Sequence, residues 1–242
     1  MTTSTNPSPH RPLNIWEWLI LAFVAVTTTV GFVWSYLDHA SFKQIMVVED
    51  GFTEWATVVA FLIILIISVR RVWVLRDKRS KRFLIVTGLM ALLAFFVMGE
   101  EVSWGQRFIG VDSPEFFAKH NAQGETNLHN LVVYGVKINK LVFGKGVGIL
   151  LLGYLLILVP LSRYRAEVRN FLDGFAIPIA TNYQVFVYLA VFIVLQIVME
   201  SSKKGEMLEF SLSWLFLLTI AFPLNGHIYD RQYRIADTEN QG

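Results

Sequence analysis

Apolar residues in this chain gather into long uncharged blocks separated by short polar segments. A block of about 18 or more such residues is long enough to cross a bilayer as a helix. The pattern predicts spans at about 18–37, 51–69, 83–104, 146–161, 179–199 and 207–224. The strictly uncharged part of the second, 55–69, is short, so that span is expected to take Glu54 into its first turn. Between the third and fourth, Leu128, Leu131, Val132, Val136, Leu141 and Phe143 alternate with Asn130, Lys137, Asn139 and Lys140. That alternation suits a helix lying in the membrane interface. The expected architecture is an all-α, polytopic membrane bundle. A disordered tail 1–14 precedes a six-helix domain 15–228, whose outer polar loop and interfacial helix cover 105–145, and a second tail covers 229–242.

Composition agrees with the pattern. The charged fraction is 17%, against about 25% in soluble domains. A net charge of +2 argues against a nucleic-acid partner. The chain has no cysteine, which removes disulfides, a thiolate nucleophile and a zinc–thiolate site.

Charge sets an orientation. Arg70, Arg71, Arg76, Lys78, Arg79, Lys81 and Arg82 crowd the second inter-span loop, Arg163, Arg165 and Arg169 the fourth, and Arg231 and Arg234 the tail. All fall on one side if both termini are cytoplasmic, as the positive-inside rule expects of a bacterial inner-membrane protein. Acidic residues collect at the opposite span ends: Asp50 and Glu54 open span two, Glu100 and Glu101 close span three, Glu200 closes span five, and Glu206 and Glu209 open span six.

Ionisable residues at the edge of an apolar core are expensive to desolvate and are functional candidates for that reason. The run Gly99-Glu100-Glu101-Val102-Ser103-Trp104-Gly105-Gln106-Arg107 is the sharpest case. On a continued helix, Glu100, Ser103 and Arg107 share a stripe and Glu101 points a quarter-turn away. Glu100 then reads as either an ion-paired cap or a site residue, and Glu101 as a site residue, with Trp104 as an interfacial anchor or a substrate contact. The second candidate region, 121–130, holds Asn121, Gln123, Glu125, Asn127, His129 and Asn130. Glu125 and His129 would face together if helical; a polar loop capping the next helix is the alternative.

Carboxylates at this density need a cation, a proton or an arginine. Asp50, Glu54, Glu100, Glu101, Glu125, Glu200 and Glu209 are candidate ligands. An oxygen-rich set with at most one histidine suits calcium, magnesium or manganese better than zinc. Shared protons are equally open, since one pKa of a carboxylate pair rises.

The motifs Gly99-Glu100-Glu101-x-Ser103-Trp104-Gly105-Gln106-Arg107 and Asn121-x-Gln123-x-Glu125-x-Asn127-Leu128-His129-Asn130, with Glu49-Asp50-Gly51-x-x-Glu54-Trp55, resemble a family of uncharacterised bacterial polytopic membrane proteins. That resemblance implies the fold and carries no activity. A looser likeness to alkaline-ceramidase-type membrane hydrolases rests on Glu49, Asp50, Glu54 and Trp55. Their zinc site needs three histidines, and this face offers only His39, His120 and His129, without the expected spacing.

Three functions stay open. An enzyme on a lipid or lipid-linked substrate would use Glu101 or Glu54 as base and His129 as acid or ligand, with Arg107, Gln106, Asn127, Asn130 and Trp104 binding a head group. A cation or proton transporter would use the same carboxylates. An accessory subunit would dock a partner protein on the polar face.

Overall fold

The computed structural model describes residues 12–133, 135–137 and 146–233. Most of them are helical. The long helices are α1 (Ile15–Leu37), α2 (Phe52–Leu75), α3 (Lys81–Glu101), α4 (Val147–Tyr164), α5 (Asn182–Val198) and α6 (Lys204–Ala221). Four of them, α1 to α4, are long and apolar enough to cross a membrane. The expected fifth and sixth spans fall short of that standard. α5 is shorter, and α6 carries Lys204, Glu206 and Glu209 in its first two turns.

Packing accounts for the charges in α6. It lies against α1, α2 and α5, and buries residues on every side, among them Met207, Phe210, Leu215, Leu217, Leu218 and Ile220. A helix walled in by protein does not need an apolar surface toward lipid. Its hydroxyls are matched within the bundle: Ser211 Oγ meets Thr28 Oγ1 of α1 at 3.0 Å. Trp214 Nε1 donates to the Ala56 carbonyl of α2 at 3.0 Å. Phe23, Phe52, Phe210 and Trp214 fill the gap between α1, α2 and α6 edge to face.

Helix starts follow ordinary capping chemistry. Asn14 Oδ1 accepts from Trp16 N at 2.9 Å and Glu17 N at 3.0 Å, while Glu17 Oε2 accepts from Asn14 N at 2.9 Å. Asn14, expected in a disordered tail, instead caps α1; residues 1–11 lie outside the described residues. Glu17 is buried and accepts the Tyr183 hydroxyl of α5.

The expected interfacial helix is corrected. Residues 122–130 run through turns closed by a bridge between Asn121 and Leu131, and β1 (Val132–Val133) pairs antiparallel with β2 (Val136–Lys137) across a tight hairpin. Gly135, at φ 77°, supplies the left-handed backbone that a two-residue hairpin needs. Residues 138–145 of that expected helix lie outside the described residues.

Residues 229–233, expected in the second tail, are folded against the bundle. Residues 223–233 strap across the basic ends of α2 and α3. Buried Arg79 donates to the Ile228 carbonyl at 2.8 and 3.0 Å and to the Asp230 carbonyl at 2.7 Å. Arg71 stacks on the Tyr229 ring at 3.5 Å, and Tyr229 donates to the Ala176 carbonyl at 2.8 Å. Asn225 Nδ2 donates to Asp173 Oδ1 at 2.7 Å. Residues 234–242 lie outside the described residues.

Truncating Arg79 removes the donor to the two strap carbonyls, Ile228 and Asp230, and to the Lys78 carbonyl. Arg79→Ala is expected to cost roughly 1.5–3 kcal/mol, the scale of hydrogen bonds from a charged group. Thermal unfolding in detergent, with limited proteolysis of the strap, measures it; an unchanged strap would refute the anchoring role. Burial holds the His227 imidazole below its ordinary value of 6.5, aided by Arg169 and Arg79 and opposed by Asp173. The folded state therefore binds fewer protons than the unfolded one. Stability from this group is present above pH 6.5 and falls as pH drops below it. A melting-temperature profile across that range should flatten in His227→Gln.

Candidate functional site

α3 stops at Glu101, short of the expected end at Trp104. Ser103 (φ 47°), Trp104 (φ 55°) and Gly105 (φ 77°) turn left-handed in succession. That costs about 1–3 kcal/mol at a non-glycine residue and persists only where side chains hold it. Trp104 folds back and donates from Nε1 to Glu100 Oε1 at 2.8 Å. Its ring lies over Gly99, where a Cβ would come within 2.8 Å of the indole. Ser103 donates to Glu125 and accepts from Asn127 Nδ2 at 2.7 Å. The helical stripe joining Glu100, Ser103 and Arg107 therefore does not form.

Glu100 and Glu101 part company at this bend. Glu100 is buried, and its Oε2 accepts the backbone N–H of Leu128 at 2.5 Å and of His129 at 3.1 Å. It fixes the loop that presents His129. Glu101 points elsewhere. Glu101, His129 and Glu209 each offer one ligand atom, and these atoms lie within 4.8 Å of one another. His129 Nε2 stands 3.7 Å from Glu209 Oε2. All three side chains are half-buried. Burial holds the His129 imidazole below its ordinary value, so its ligand-competent neutral form prevails at neutral pH. Two carboxylates and an imidazole at this spacing could hold a metal ion.

Beside this group sits an ion-pair cluster. Arg107 reaches Asp50 Oδ1 at 2.7 Å, Glu49 Oε1 at 2.9 Å, Glu125 Oε1 at 3.0 Å and Glu54 Oε1 at 3.6 Å. Burial and then neighbouring Glu125 raise the Glu49 carboxyl above its ordinary value, against the pull of Arg107. Glu54 also accepts the Asp50 backbone N–H at 2.7 Å, closing the first turn of α2. The expected Glu125–His129 helical pair is absent: Glu125 joins Arg107, and His129 joins Glu209.

The amides are framework. Gln106 accepts from Thr126 N at 2.7 Å and donates to Val111 O at 2.8 Å and Ser113 Oγ at 2.7 Å. Asn127 is buried and accepts from Asn121 Nδ2 at 2.8 Å and Asn130 N at 2.9 Å. The Asn130 side chain donates to Gln123. Glu200 is exposed and stands outside the group of three, while Glu206 pairs with Lys203 at 3.3 Å. His39 and His120 turn to the carbonyls of Ser35 and Phe116, so neither joins His129.

The orientation expected from the basic loops puts Glu101, His129 and Glu209 on one face with Glu54 and Glu200; the structure brings the first three together and leaves Glu200 outside. Gly105 was the available signal for the bend, since a glycine just past a helix end marks a left-handed cap.

No protein-family model, curated protein or solved structure matches the chain.

Removing the guanidinium leaves four carboxylates facing one another. Arg107→Ala is expected to cost roughly 1–3 kcal/mol, below the full value of a buried pair because water reaches its partners. Arg107→Lys keeps the charge without the fork and should lose less. Thermal unfolding in detergent decides, with Arg76→Ala as the control, since Arg76 and its partner Asp77 are exposed. A loss at Arg107 no larger than the control's would remove the clamp.

Proposed function

We propose that the chain is a bacterial inner-membrane enzyme that hydrolyses or transfers a group on a lipid or lipid-linked substrate. In this reading both termini are cytoplasmic and the acidic face is extracytoplasmic. The concentration of arginine and lysine between α2 and α3 supports that orientation.

One observation carries the activity: the convergence of Glu101, His129 and Glu209 where α3 ends and α6 begins. These residues would hold a divalent cation. Two carboxylates favour a hard ion of the calcium, magnesium or manganese kind, and the imidazole favours manganese among them. When bound, the ion would supply Lewis acidity and an activated water. Glu54, in the first turn of α2 and within electrostatic range of Glu101, is the carboxylate that would accept a proton. Glu100 acts as a positioning residue, setting the His129 backbone. Trp104 and the neighbouring apolar surface would meet the lipid part of the substrate.

Metal analysis of the purified protein tests this reading. The wild-type chain and Glu200→Gln should carry an equimolar divalent ion. Glu101→Gln and His129→Ala should lose it while eluting as folded protein. Wild-type protein that takes up no divalent ion after dialysis against each of the three would overturn the proposal.

A further inference from the structure

The segment that leads out of α3 has its polarity reversed relative to a water-facing loop. Gln106 and Arg107 point inward and are partnered: Gln106 with Thr126, Val111 and Ser113, and Arg107 with its carboxylates. Its large apolar side chains point outward. Phe108 is 65% exposed, Ile109 71%, Val111 56% and Phe116 53%. A soluble surface scatters such residues singly; a contiguous apolar patch marks a surface that meets another phase or partner.

The patch is continuous with the lipid-facing sides of two spans. Phe108 meets the exposed ring of Trp55 in the first turn of α2, with centroids 6.0 Å apart. Trp104 closes the upper end of an apolar groove on α3 lined by Leu89, Leu92, Leu93, Phe95 and Phe96. Charge then bounds the patch. Asp112 follows Val111, and Glu115 and Lys119 flank Phe116; all three are exposed, the last two paired at 2.5 Å. Apolar side chains at depth, tryptophans at their rim and charges beyond are the order met along a membrane normal.

We propose that residues 104–116 form an insertion element. Phe108, Ile109 and Val111 sit among the acyl chains of the leaflet at the α2-start and α3-end side, and Asp112 onward lies at the head groups. The occupant of the patch is that leaflet. The inference needs a bilayer and not a metal, so it stands or falls apart from the activity proposed above. If it holds, the carboxylate–imidazole group sits beside a surface immersed in lipid.

The absence of native cysteine allows a clean test. Phe108→Cys, Ile109→Cys and Lys119→Cys are each labelled with a bimane fluorophore and placed in phosphatidylcholine–phosphatidylglycerol nanodiscs. Phe108→Cys and Ile109→Cys should show blue-shifted emission, strong quenching by doxyl-labelled lipid and several-fold weaker quenching by aqueous iodide than Lys119→Cys. Iodide quenching equal to that of Lys119→Cys at both positions overturns the proposal. So does shielding from both quenchers, which would mean that a protein surface covers the patch. Metal content of the same samples reports separately on the activity reading.

Discussion

Carboxylates gathered at the edge of an apolar core repel one another, and the outer architecture of this protein is organised around relieving that repulsion. Arg107 takes up the largest share. Its guanidinium draws together Glu49 and Asp50 before α2, Glu54 within it and Glu125 from the distant turn region. Two chain segments far apart in sequence, 49–54 and the turn holding Glu125, are thereby fixed beside the end of α3. That cross-link and the Glu100 bonds to Leu128 N and His129 N together hold the loop carrying His129 against the end of α3.

Relief at one place permits concentration at another. Glu101 and Glu209 face each other with His129 as their common neighbour, and no arginine or lysine is among the three. Glu100, one residue away, is spent on backbone N–H groups and the Trp104 indole. Adjacent glutamates of the same type thus divide into a structural anchor and a candidate ligand, because the bend at 103–105 sends the chain back over one of them. Deeper in the bundle, described polar residues close on near partners. Thr28 and Ser211 pair with each other, and Thr219 bonds the Leu215 carbonyl.

Sequence made the helices legible because lipid imposes a simple rule: an uncharged run such as 83–99 has one stable form in a bilayer. The acidic face was legible too, since the basic loops fix which span ends lie together. Three things were not. The stop at Glu101 depends on Trp104 stacking over Gly99, a contact that periodicity does not encode. The hairpin at Val132–Val133 and Val136–Lys137 was hidden because alternating apolar residues fit a strand and an interfacial helix equally over so short a stretch. The burial of α6 reversed the usual reading of hydropathy: its charges are tolerated because protein surrounds it. That Glu101, His129 and Glu209 share a face was legible from the basic loops; that these three and not Glu200 come within 4.8 Å of one another was not.

The indole resting on Gly99 forms the first link of a lever. Any side chain at that position would displace Trp104, whose N–H holds Glu100, whose other oxygen holds the backbone of His129. A methyl group added on the α3 surface would therefore reach the imidazole through three contacts. In a genetic screen, lesions at Gly99 would masquerade as lesions of the carboxylate–imidazole group, although the residue touches none of its members.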